Sequence, residues 1–232
     1  MYTIVPLAGP DCYDGTYGLR PLYPVEGEPL IRRAIASRDW YQSGECDDSQ
    51  LIFVLREAEQ ADELARALGE LFPAARSVRL PQLTRGALLS ALAGMALIED
   101  FTTPIAVDLA DILYEADFSP GARFAADATL SGIIPYFKGD DPKYSYLELD
   151  GEVVRKTREK QVISEHASAG TYFFRNLPTF LYAVGRSLDA GDQDSVQGTF
   201  FLCPAFNGLI DDGKRVIGCE VQNVKPLSLL FH

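Results

Sequence analysis

The N-terminal half of the chain alternates between short apolar runs and longer amphipathic segments. The apolar runs have the length of buried strands, and the amphipathic segments repeat leucine at helical spacing, as Leu64, Leu68 and Leu71 do. Strands that alternate with helices predict a mostly parallel, doubly wound sheet. The predicted strands are residues 2–7, 51–55, 78–80 and 104–108, and the predicted helices are residues 30–40, 58–72 and 84–98.

The second half of the chain predicts antiparallel strands instead. Aromatic and β-branched residues favour a strand at 143–149, and the Asp150-Gly151 pair that follows is a strong hairpin signal. The chain contains no internal repeat, low-complexity tract or long linker. We therefore expect one α/β domain over residues 1–232, with antiparallel hairpins at one edge of the sheet. Further strands are predicted at 162–163, 171–174 and 215–224, and further helices at 177–188 and 200–210.

Composition limits the kind of partner that the protein can bind. The chain has 232 residues, of which 47% are hydrophobic and 23% charged, as in ordinary globular proteins. Its formal net charge of −12 argues against a broad surface for nucleic-acid phosphates. A nucleotide is not excluded, because a local cluster of cations or a Mg²⁺ ion can bind phosphates on an acidic protein. We therefore expect a small-molecule ligand and no nucleic-acid partner.

The sequence also predicts a cytoplasmic protein with no membrane partner. No apolar run reaches the roughly 18 residues of a transmembrane helix, and the N-terminus lacks the basic region of a signal peptide. The cysteines have no C-x-x-C spacing, so a metal or disulfide framework is not expected. They stand at positions 12, 46, 203 and 219.

Three segments follow predicted parallel strands, and ligands of open α/β sheets bind beyond the carboxyl ends of such strands. The first segment is Leu7-Ala8-Gly9 with the loop to Arg20. A glycine there would let a ligand approach the backbone, and the arginine would supply positive charge. An ordinary loop with an exposed arginine is the alternative interpretation.

The other two segments have the chemistry of anion and cation sites. Thr84, Gly86 and Ala87 open a predicted helix, whose N-terminal amides favour anions and polar groups. Asp111 follows the strand at 104–108, and a carboxylate there is a suitable ligand for a hard cation. Each has a structural alternative, since threonines commonly cap helices and aspartates commonly cap turns.

The antiparallel region contains glycines and a charged pair. Gly132 lies within a predicted strand, where glycine often marks close approach of a ligand or another backbone. Glu159-Lys160 precedes a short apolar run, and Gly170 precedes the strand at 171–174. This arrangement suggests strands that end at a cleft. The alternative is a surface hairpin with a solvated charge pair.

Several motifs of this region follow one another in a recognisable order: Gly132, Pro142-Lys143-Tyr144-Ser145-Tyr146, Asp150-Gly151, Glu159-Lys160, Ile163-Ser164 and Gly170-Thr171-Tyr172-Phe173-Phe174. In this order they resemble the nucleotidyltransferase superfamily, and in particular its bacterial sugar-phosphate and capsule nucleotidyltransferases. The resemblance extends over about residues 2–224. It implies a GT-A-like fold, with a single Rossmann-like, doubly wound, mostly parallel sheet and antiparallel additions.

The resemblance also implies a role for each strand-end segment. The loop after Gly9 would wrap a nucleoside triphosphate, with Arg20 in the place of the family's catalytic lysine. Asp111 would hold a Mg²⁺ ion that bridges the nucleotide phosphates. The implied nucleotide-binding residues are Leu7, Ala8, Gly9, Thr84, Gly86 and Ala87.

On the acceptor side, the resemblance implies a site for a sugar phosphate or a similar phosphorylated small molecule. Lys160 would be a second catalytic cation, and Glu159 would orient it or hold an acceptor hydroxyl. The implied acceptor-binding residues are Gly132, Glu159, Lys160, Gly170 and Asn207.

The sequence departs from the family at its catalytic loop and at its C-terminal end. The loop lacks the signature arginine, and Arg20 replaces a lysine, although a planar guanidinium and an ammonium are not interchangeable at phosphate sites. Asp11 and Asp14 place negative charge where phosphates should lie. Leu109 replaces the family's asparagine, and the C-terminal Gly-Thr-Pro-x-Asp element is missing.

Two functions therefore remain open, and a third is weaker. The chain is either an enzyme of nucleotide-sugar synthesis, releasing pyrophosphate, or a non-catalytic homologue that binds a nucleotide or sugar phosphate. A glycosyltransferase would share the nucleotide-binding half but not the Glu159-Lys160 motif. Histidine chemistry would need His166 or His232, and the chain contains no P-loop, G-x-S-x-G or complete G-x-G-x-x-G motif. The sequence identifies neither the base, the acceptor nor the oligomeric state.

Overall fold

A mixed β-sheet runs through the protein, and the four strands predicted in the N-terminal half are parallel to one another. The structure is a computed structural model that describes residues 1–14, 16–227 and 231, without the side chain of Asp14. Gly15 and His232 lie outside the described residues. No described helix is long and apolar enough to span a membrane.

The main sheet contains ten strands among the described residues. They are β1 (Tyr2–Pro6), β2 (Leu51–Arg56), β3 (Arg76–Leu80), β4 (Ile105–Asp108), β5 (Leu130–Lys138), β6 (Ser145–Asp150), β7 (Val153–Glu159), β8 (His166–Ser168), β9 (Thr171–Phe174) and β10 (Arg215–Glu220). The helices are α1 (Leu30–Ala36), α2 (Asp39–Gln42), α3 (Ala61–Leu71), α4 (Ala87–Gly94), α5 (Pro120–Ala126), α6 (Leu177–Ala190) and α7 (Phe206–Asp211). Shorter strands pair Tyr13–Asp14 with Gly18–Leu19, Pro24–Val25 with Glu28–Pro29, Ile112–Glu115 with Gln222–Pro226 and Ser195–Val196 with Thr199–Phe200.

The order of the strands corrects the expectation of a mostly parallel sheet. Across the sheet the order is β8-β6-β7-β10-β5-β9-β4-β1-β2-β3. Strands β3, β2, β1 and β4 are parallel, and β5 is parallel to β10. Strand β9 is antiparallel to both β4 and β5, because the chain enters it from the opposite end of the sheet. The α/β class is confirmed, but the sheet is mixed.

Helices cover both faces of this sheet. On β1, Ile4 packs into one core and Val5 into the other, because successive side chains of a strand point to opposite faces. The core around Val5 includes residues of α1, α3 and α5, and the core around Ile4 includes residues of α4, α6 and α7. Since both faces are covered, β1, β2 and β4 are buried along most of their length, whereas the edge strand β3 alternates between half-buried and exposed residues.

The predicted helix at 30–40 is interrupted before Arg38. Helix α1 ends at Ala36, and Arg38 has an extended backbone (φ −78°, ψ 127°) before α2 begins at Asp39. The side chain of Arg38 is 1% exposed and points into the core, where it meets Asp108. The local sequence favours a continuous helix, whereas in the structure the helix is interrupted at the point where Arg38 contacts Asp108.

Three other predicted elements differ from the structure. Helix α4 begins at Ala87 rather than Thr84, because Gly86 has a φ of 115° that a helix does not contain. Residues 162–163 form no strand; β8 begins at His166 instead. The predicted helix at 200–210 begins only at Phe206, since Pro204 disfavours a helical backbone at the residue before it. By contrast, the Asp150-Gly151 hairpin is confirmed, with Asp150 paired to Val153.

Substitution of Gly132 should test its packing role on β5. A Cβ at this position would lie 2.4 Å from Cε1 of Phe206 and 3.3 Å from the carbonyl oxygen of Phe173. We therefore expect Gly132→Ala to lower the free energy of unfolding by roughly 1–3 kcal/mol, as overpacking of a core does. Urea denaturation measures the change.

The matched control is Gly185→Ala in the middle of α6, where an added Cβ meets no atom within 4 Å. This variant should be as stable as the unsubstituted protein or more stable by up to about 1 kcal/mol, because alanine favours helix over glycine. Equal stability of Gly132→Ala and the unsubstituted protein would contradict the packing role.

Candidate active site

A cleft of about 310 Å³ opens at the carboxyl ends of β1 and β4. Its floor and walls come from the end of β1, the loop up to Arg20, helix α1, the turn after β4 and the C-terminal segment. Its lining includes four residues that were predicted for catalysis, nucleotide binding or metal binding. They are Leu7, Gly9, Arg20 and Asp111.

The end of β1 presents the backbone to this cleft. The amide of Leu7 donates to the carbonyl of Val54, which extends the pairing of β1 with β2 by one residue. Leu7 and Ala8 then pack into opposite cores, and the carbonyl of Ala8 accepts a hydrogen bond from Nε of Arg56 at 3.3 Å. A Cβ at Gly9 would meet no atom within 4 Å. Protein packing therefore does not explain this glycine, and the space beside it is open to a ligand.

A buried ion pair fixes the turn after β4. Nε of Arg38 donates to Oδ2 of Asp108 at 2.7 Å, and Nη2 donates to Oδ1 at 2.9 Å. The same Oδ1 accepts from the amide of Ala110 at 2.9 Å and from the hydroxyl of Thr171 at 3.2 Å. The Cζ of Arg38 lies 4.2 Å from the ring centre of Tyr114, which stacks a cation against an aromatic face. Strands β4 and β9 and the α1–α2 junction thus meet at one carboxylate.

This turn carries Asp111 to the cleft. Ala110 has a left-handed backbone (φ 56°), and the carbonyl of Asp111 accepts a hydrogen bond from the amide of Leu227 at 2.8 Å. Gly170, with a φ of 76°, lies directly against the side chain: a Cβ there would be 2.8 Å from Oδ1 of Asp111. Only glycine satisfies both the backbone conformation and the close contact. Two residues predicted for the site, Asp111 and Gly170, are therefore in contact.

The environment of Asp111 raises the pKa of its carboxyl group to about 6. Desolvation is the main cause, and the negative charge of Asp108 adds to it, whereas Arg38 opposes it. Asp111 is accessible from the cleft, but protein atoms surround its carboxyl group on the other sides. A carboxylate with an unfavourable environment gains from a nearby cation, as expected of a metal ligand.

Glu159 and Lys160 lie at the end of β7, close to this cleft. The hydroxyl of Ser145 donates to Oε2 of Glu159. Burial raises the pKa of Glu159, the Ser145 hydrogen bond and Lys160 oppose this shift, and the charge of Asp111 adds to it. Lys160 has a left-handed backbone (φ 52°), and its Nζ lies 5.2 Å from the ring centre of Phe201.

A second cavity, of about 280 Å³, lies beside Glu159. Arg158 and Asp194 also line it. Asn207 stands behind this cavity, where Nδ2 donates to Oδ1 of Asp194 at 3.2 Å. Its Oδ1 accepts from the amide and hydroxyl of Thr157, at 2.9 and 3.1 Å, and Nδ2 also donates to the Thr157 carbonyl. The side-chain amide of Asn207 therefore joins α7 to β7 and orients Asp194.

The remaining predicted residues pack within the fold. Thr84 donates to the carbonyl of Gly86 at 2.9 Å and does not cap α4. A Cβ at Gly86 would lie 2.1 Å from the carbonyl oxygen of Phe200, so this glycine permits contact between two loops. Ala87 begins α4, and Gly132 lies beneath Phe206. None of these four is among the described residues that line the first cleft, and their ligand contacts stay predictions.

Sequence reasoning missed the residues that hold the site in place. Arg38 looked like part of a helix, Asp108 like the last residue of a strand, and Ser145 like a strand residue. Phe231 lines the cleft, with its ring centre 4.8 Å from Cζ of Arg20. A charged residue at the end of an otherwise apolar strand, such as Asp108, was the one signal that could have indicated a buried pair.

The donor set of the cleft fits a Mg²⁺ ion that is shared with a nucleotide. No group of three or more His, Cys, Asp or Glu side chains suited to a metal occurs among the described residues, so a cage made by protein alone is not found there. Mg²⁺ is commonly held by one or two carboxylates, with substrate phosphates and water as its other ligands. Asp111 meets that requirement, since its carboxyl group faces the cleft and is electrostatically unfavourable without a cation.

The raised pKa of Asp111 predicts a pH effect on stability. The folded protein binds a proton at this group more tightly than the unfolded chain does, so the stabilising contribution is lost as pH rises from about 4 to 6. We expect Asp111→Asn to unfold at higher urea than the unsubstituted protein at pH 7.5 without divalent cations. Because the carboxyl group opens to solvent, the free energy of unfolding should increase by only about 1 kcal/mol. The two proteins should differ less at pH 4.

Asp117→Asn, at an exposed position outside the cleft, serves as the control and should change stability by less than about 0.5 kcal/mol. A stability difference between Asp111→Asn and the unsubstituted protein that is the same at both pH values would contradict the assigned environment.

Comparison with known proteins identifies the fold. No protein-family model matches the sequence, and no curated protein does. Solved structures do match. The chain is similar to a nucleoside-diphosphate-sugar pyrophosphorylase from Vibrio cholerae RC9, with a TM-score of 0.79 and 20% identity over 98% of this chain and 95% of that one.

Two further solved structures share the fold at lower identity. A UDP-glucose pyrophosphorylase complexed with UDP-glucose gives a TM-score of 0.68 and 15% identity, covering 96% of this chain and 91% of that one. The inositol-1-phosphate CTP transferase from T. maritima gives 0.65 and 14%, covering 97% and 86%. The chain therefore has the fold of the nucleotide-sugar pyrophosphorylases and sugar-phosphate nucleotidyltransferases.

Proposed function

We propose that the protein is a nucleotidyltransferase that transfers a nucleoside monophosphate from a nucleoside triphosphate to a sugar phosphate or a similar phosphorylated small molecule. A phosphate oxygen of the acceptor attacks the α-phosphorus, a new phosphoanhydride bond forms, and the bond to the β-phosphate breaks to release pyrophosphate. The observation that carries the proposal is Asp111, presented to a cleft that Leu7, Gly9 and Arg20 also line. The fold shared with sugar-phosphate nucleotidyltransferases supports it.

The charges of the cleft suit a nucleotide that brings a cation with it. Asp11 and Asp111 are negative, and Arg20 is the only Lys or Arg among the described lining residues. A triphosphate would be repelled by the two carboxylates unless a cation neutralised at least one of them. Mg²⁺ held by Asp111 would supply Lewis-acid charge to the phosphates. Arg20 would then stabilise the charge that develops on the transferring phosphoryl group.

The backbone at the end of β1 would receive the nucleotide. Gly9 leaves room for close approach, and the loop that follows would wrap the triphosphate. We assign the base and ribose to the segment that contains Thr84, Gly86 and Ala87, next to Ala8 on the same side of the sheet. Ala8 and the apolar residues of α4 share one core, which supports this placement.

The acceptor would enter from the side of β7. Glu159 lines the second cavity and interacts electrostatically with both Asp111 and Lys160. We propose that Lys160 neutralises the acceptor phosphate and that Glu159 holds a sugar hydroxyl. Asn207 would act by orienting Asp194, and Gly170 by allowing the acceptor and Asp111 to approach each other. We propose a nucleotide sugar as the product, of the kind used in capsule polysaccharide synthesis, and the fold shared with nucleotide-sugar pyrophosphorylases supports the product class.

The second candidate is a non-catalytic homologue that binds a nucleotide or a sugar phosphate. One observation favours it: Leu227 and Phe231 of the C-terminal segment line the same cleft, with the Phe231 ring over the guanidinium of Arg20. Apolar side chains in this place reduce the polar surface available to a triphosphate. The two candidates differ in turnover, which can be measured directly.

A test of the metal site is nucleotide binding by Asp111→Asn. Isothermal titration calorimetry of each nucleoside triphosphate, with and without Mg²⁺, should show Mg²⁺-dependent affinity for the unsubstituted protein. Asp111→Asn should lose that dependence while it remains folded, because the substitution removes the hard-cation ligand. Asp11→Asn, which changes a carboxylate of the same cleft, should keep the dependence. Unchanged Mg²⁺-linked affinity in Asp111→Asn would refute the assignment.

Turnover separates the two candidate functions. A thermal-shift panel of nucleoside triphosphates and sugar phosphates first identifies binding pairs, because ligands of the folded state raise the melting temperature. With the right pair, an enzyme should release pyrophosphate, and Arg20→Ala should lower kcat by about 10²-fold or more. Arg66→Ala, which removes an exposed arginine from α3, should leave kcat unchanged.

Binding without pyrophosphate release, together with only a modest loss of affinity in Arg20→Ala, would favour the non-catalytic homologue. Full turnover by Arg20→Ala would show that another group is the catalytic cation, even with the reaction class correct.

A further inference from the structure

A third cavity, of about 700 Å³, lies at the end of the sheet opposite to the cleft. Strand β5 runs in the same direction as β4, since both are antiparallel to β9. The start of β5 is therefore far from the carboxyl end of β4, where Asp111 lies. Residues at the starts of β5, α6 and β10 line this cavity.

Two cations at this cavity have no acidic partner among the described residues. The guanidinium of Arg175 donates to the carbonyl oxygens of Leu130, Phe124 and Asp127 through Nε and Nη2, and Nη1 has no hydrogen-bond partner among the described residues. Lys214 is exposed, and its ammonium makes no ion pair with the described part of the chain. Carbonyl oxygens orient Arg175 without cancelling its formal charge.

The third cation at the cavity, Arg215, is already compensated. Its Nε lies 3.3 Å from Oδ2 of Asp127, and its Nη2 contacts Glu152. Asp212, which also lies near Lys214, is held by Tyr182 and Arg186. The nearby carboxylates thus make their close contacts with Arg215, Arg186 and Tyr182, and Asp212 interacts with Lys214 only at longer range.

Neutral hydrogen-bond donors complete the lining. Ser131 is only 9% exposed, and its hydroxyl has no hydrogen-bond partner in the described residues, although it lines the cavity. Helix α6, which is 14 residues long, begins at the same place, with Asn176 as its N-cap. The positive end of its dipole therefore adds to the charge of the two cations. A hydroxyl that opens to the cavity and has no described partner, beside two cations without an ion pair in the described part of the chain, is a combination that suits an oxyanion.

We propose that this cavity binds the phosphate group of a small molecule at a site separate from the cleft. Arg175 and Lys214 supply the charge, and Ser131 donates a hydrogen bond. The protein carries a formal net charge of −12, so a phosphate is repelled by most of its surface and needs such a local concentration of cations. The volume exceeds that of phosphate alone, which leaves room for the organic part of a sugar phosphate or nucleotide. The proposal does not depend on the proposed function.

The test is a titration of the ¹⁵N-labelled full chain with inorganic phosphate, followed by two-dimensional NMR. We expect saturable shifts of the amides around Ser131, Arg175 and Lys214. Lys214→Gln removes one cation without breaking a contact of the fold, and it should raise the apparent Kd about fivefold or more. Ser131→Ala should raise it as well, with its melting temperature unchanged.

Lys156→Gln is the matched control, because it removes the charge of an exposed lysine of β7 that does not line the cavity. It should leave the Kd unchanged. Equal effects of the two lysine variants would overturn the proposal, since only net charge would then matter. Absence of saturable shifts, or shifts confined to Leu7, Gly9 and Asp111, would also overturn it.

The same titration with glucose 1-phosphate and ATP distinguishes the sources of the phosphate group. The variant Arg20→Ala distinguishes failure of this proposal from failure of the proposed function. It should weaken binding at the cleft but leave the Lys214-dependent shifts intact. Loss of those shifts in Arg20→Ala would mean that the phosphate binds at the cleft alone.

Discussion

The buried ion pair between Arg38 and Asp108 is the interaction on which the candidate site depends. Both side chains are almost completely buried, at 1% and 0% exposure, so their desolvation is costly and only good geometry offsets it. Loss of either partner would leave an unpaired charge in the core, which typically costs 3–5 kcal/mol. In return, the pair fixes the end of β4 against the α1–α2 junction and against Thr171 of β9. The turn that presents Asp111 is built on this anchor.

Two left-handed backbone conformations also help to position Asp111. Ala110 and Gly170 both have left-handed backbones, at φ 56° and 76°, and they bring the turn after β4 and the turn before β9 together. A hydrogen bond of 2.9 Å from the amide of Leu109 to the carbonyl oxygen of Gly170 joins the two turns. An alanine in the left-handed region costs roughly 1–3 kcal/mol, so the surrounding contacts must maintain it. Such local strain is consistent with a turn selected for where it places Asp111 rather than for stability.

Local patterns predicted those parts of the protein in which local and tertiary preferences agree. The parallel strands, the Asp150-Gly151 hairpin and the meeting of the segments at Leu7–Arg20 and Asp111 followed from apolar runs and strand ends. The third expected segment, at Thr84–Ala87, does not line their cleft. The helix break before Arg38 did not, because it accompanies a contact with Asp108, which is 70 positions away in the sequence. The sequence also did not predict that β9 lies antiparallel between β4 and β5, since antiparallel strands were expected only at one edge of the sheet. Strand direction depends on which end of the sheet the chain re-enters, and hydrophobic periodicity carries no such information.

Asp108 and Asp111 show how one turn gives two carboxylates different chemistry. Asp108 is enclosed with a guanidinium and a backbone amide, so its charge is satisfied within the protein. Asp111, three positions later, feels the same guanidinium only at a distance and also feels the charge of Asp108, and its pKa rises to about 6. The protein thus neutralises one carboxylate internally and leaves the other with an unmet demand for positive charge. A cation that entered the cleft would relieve this demand, so the electrostatics of the fold favour the metal-binding role proposed for Asp111.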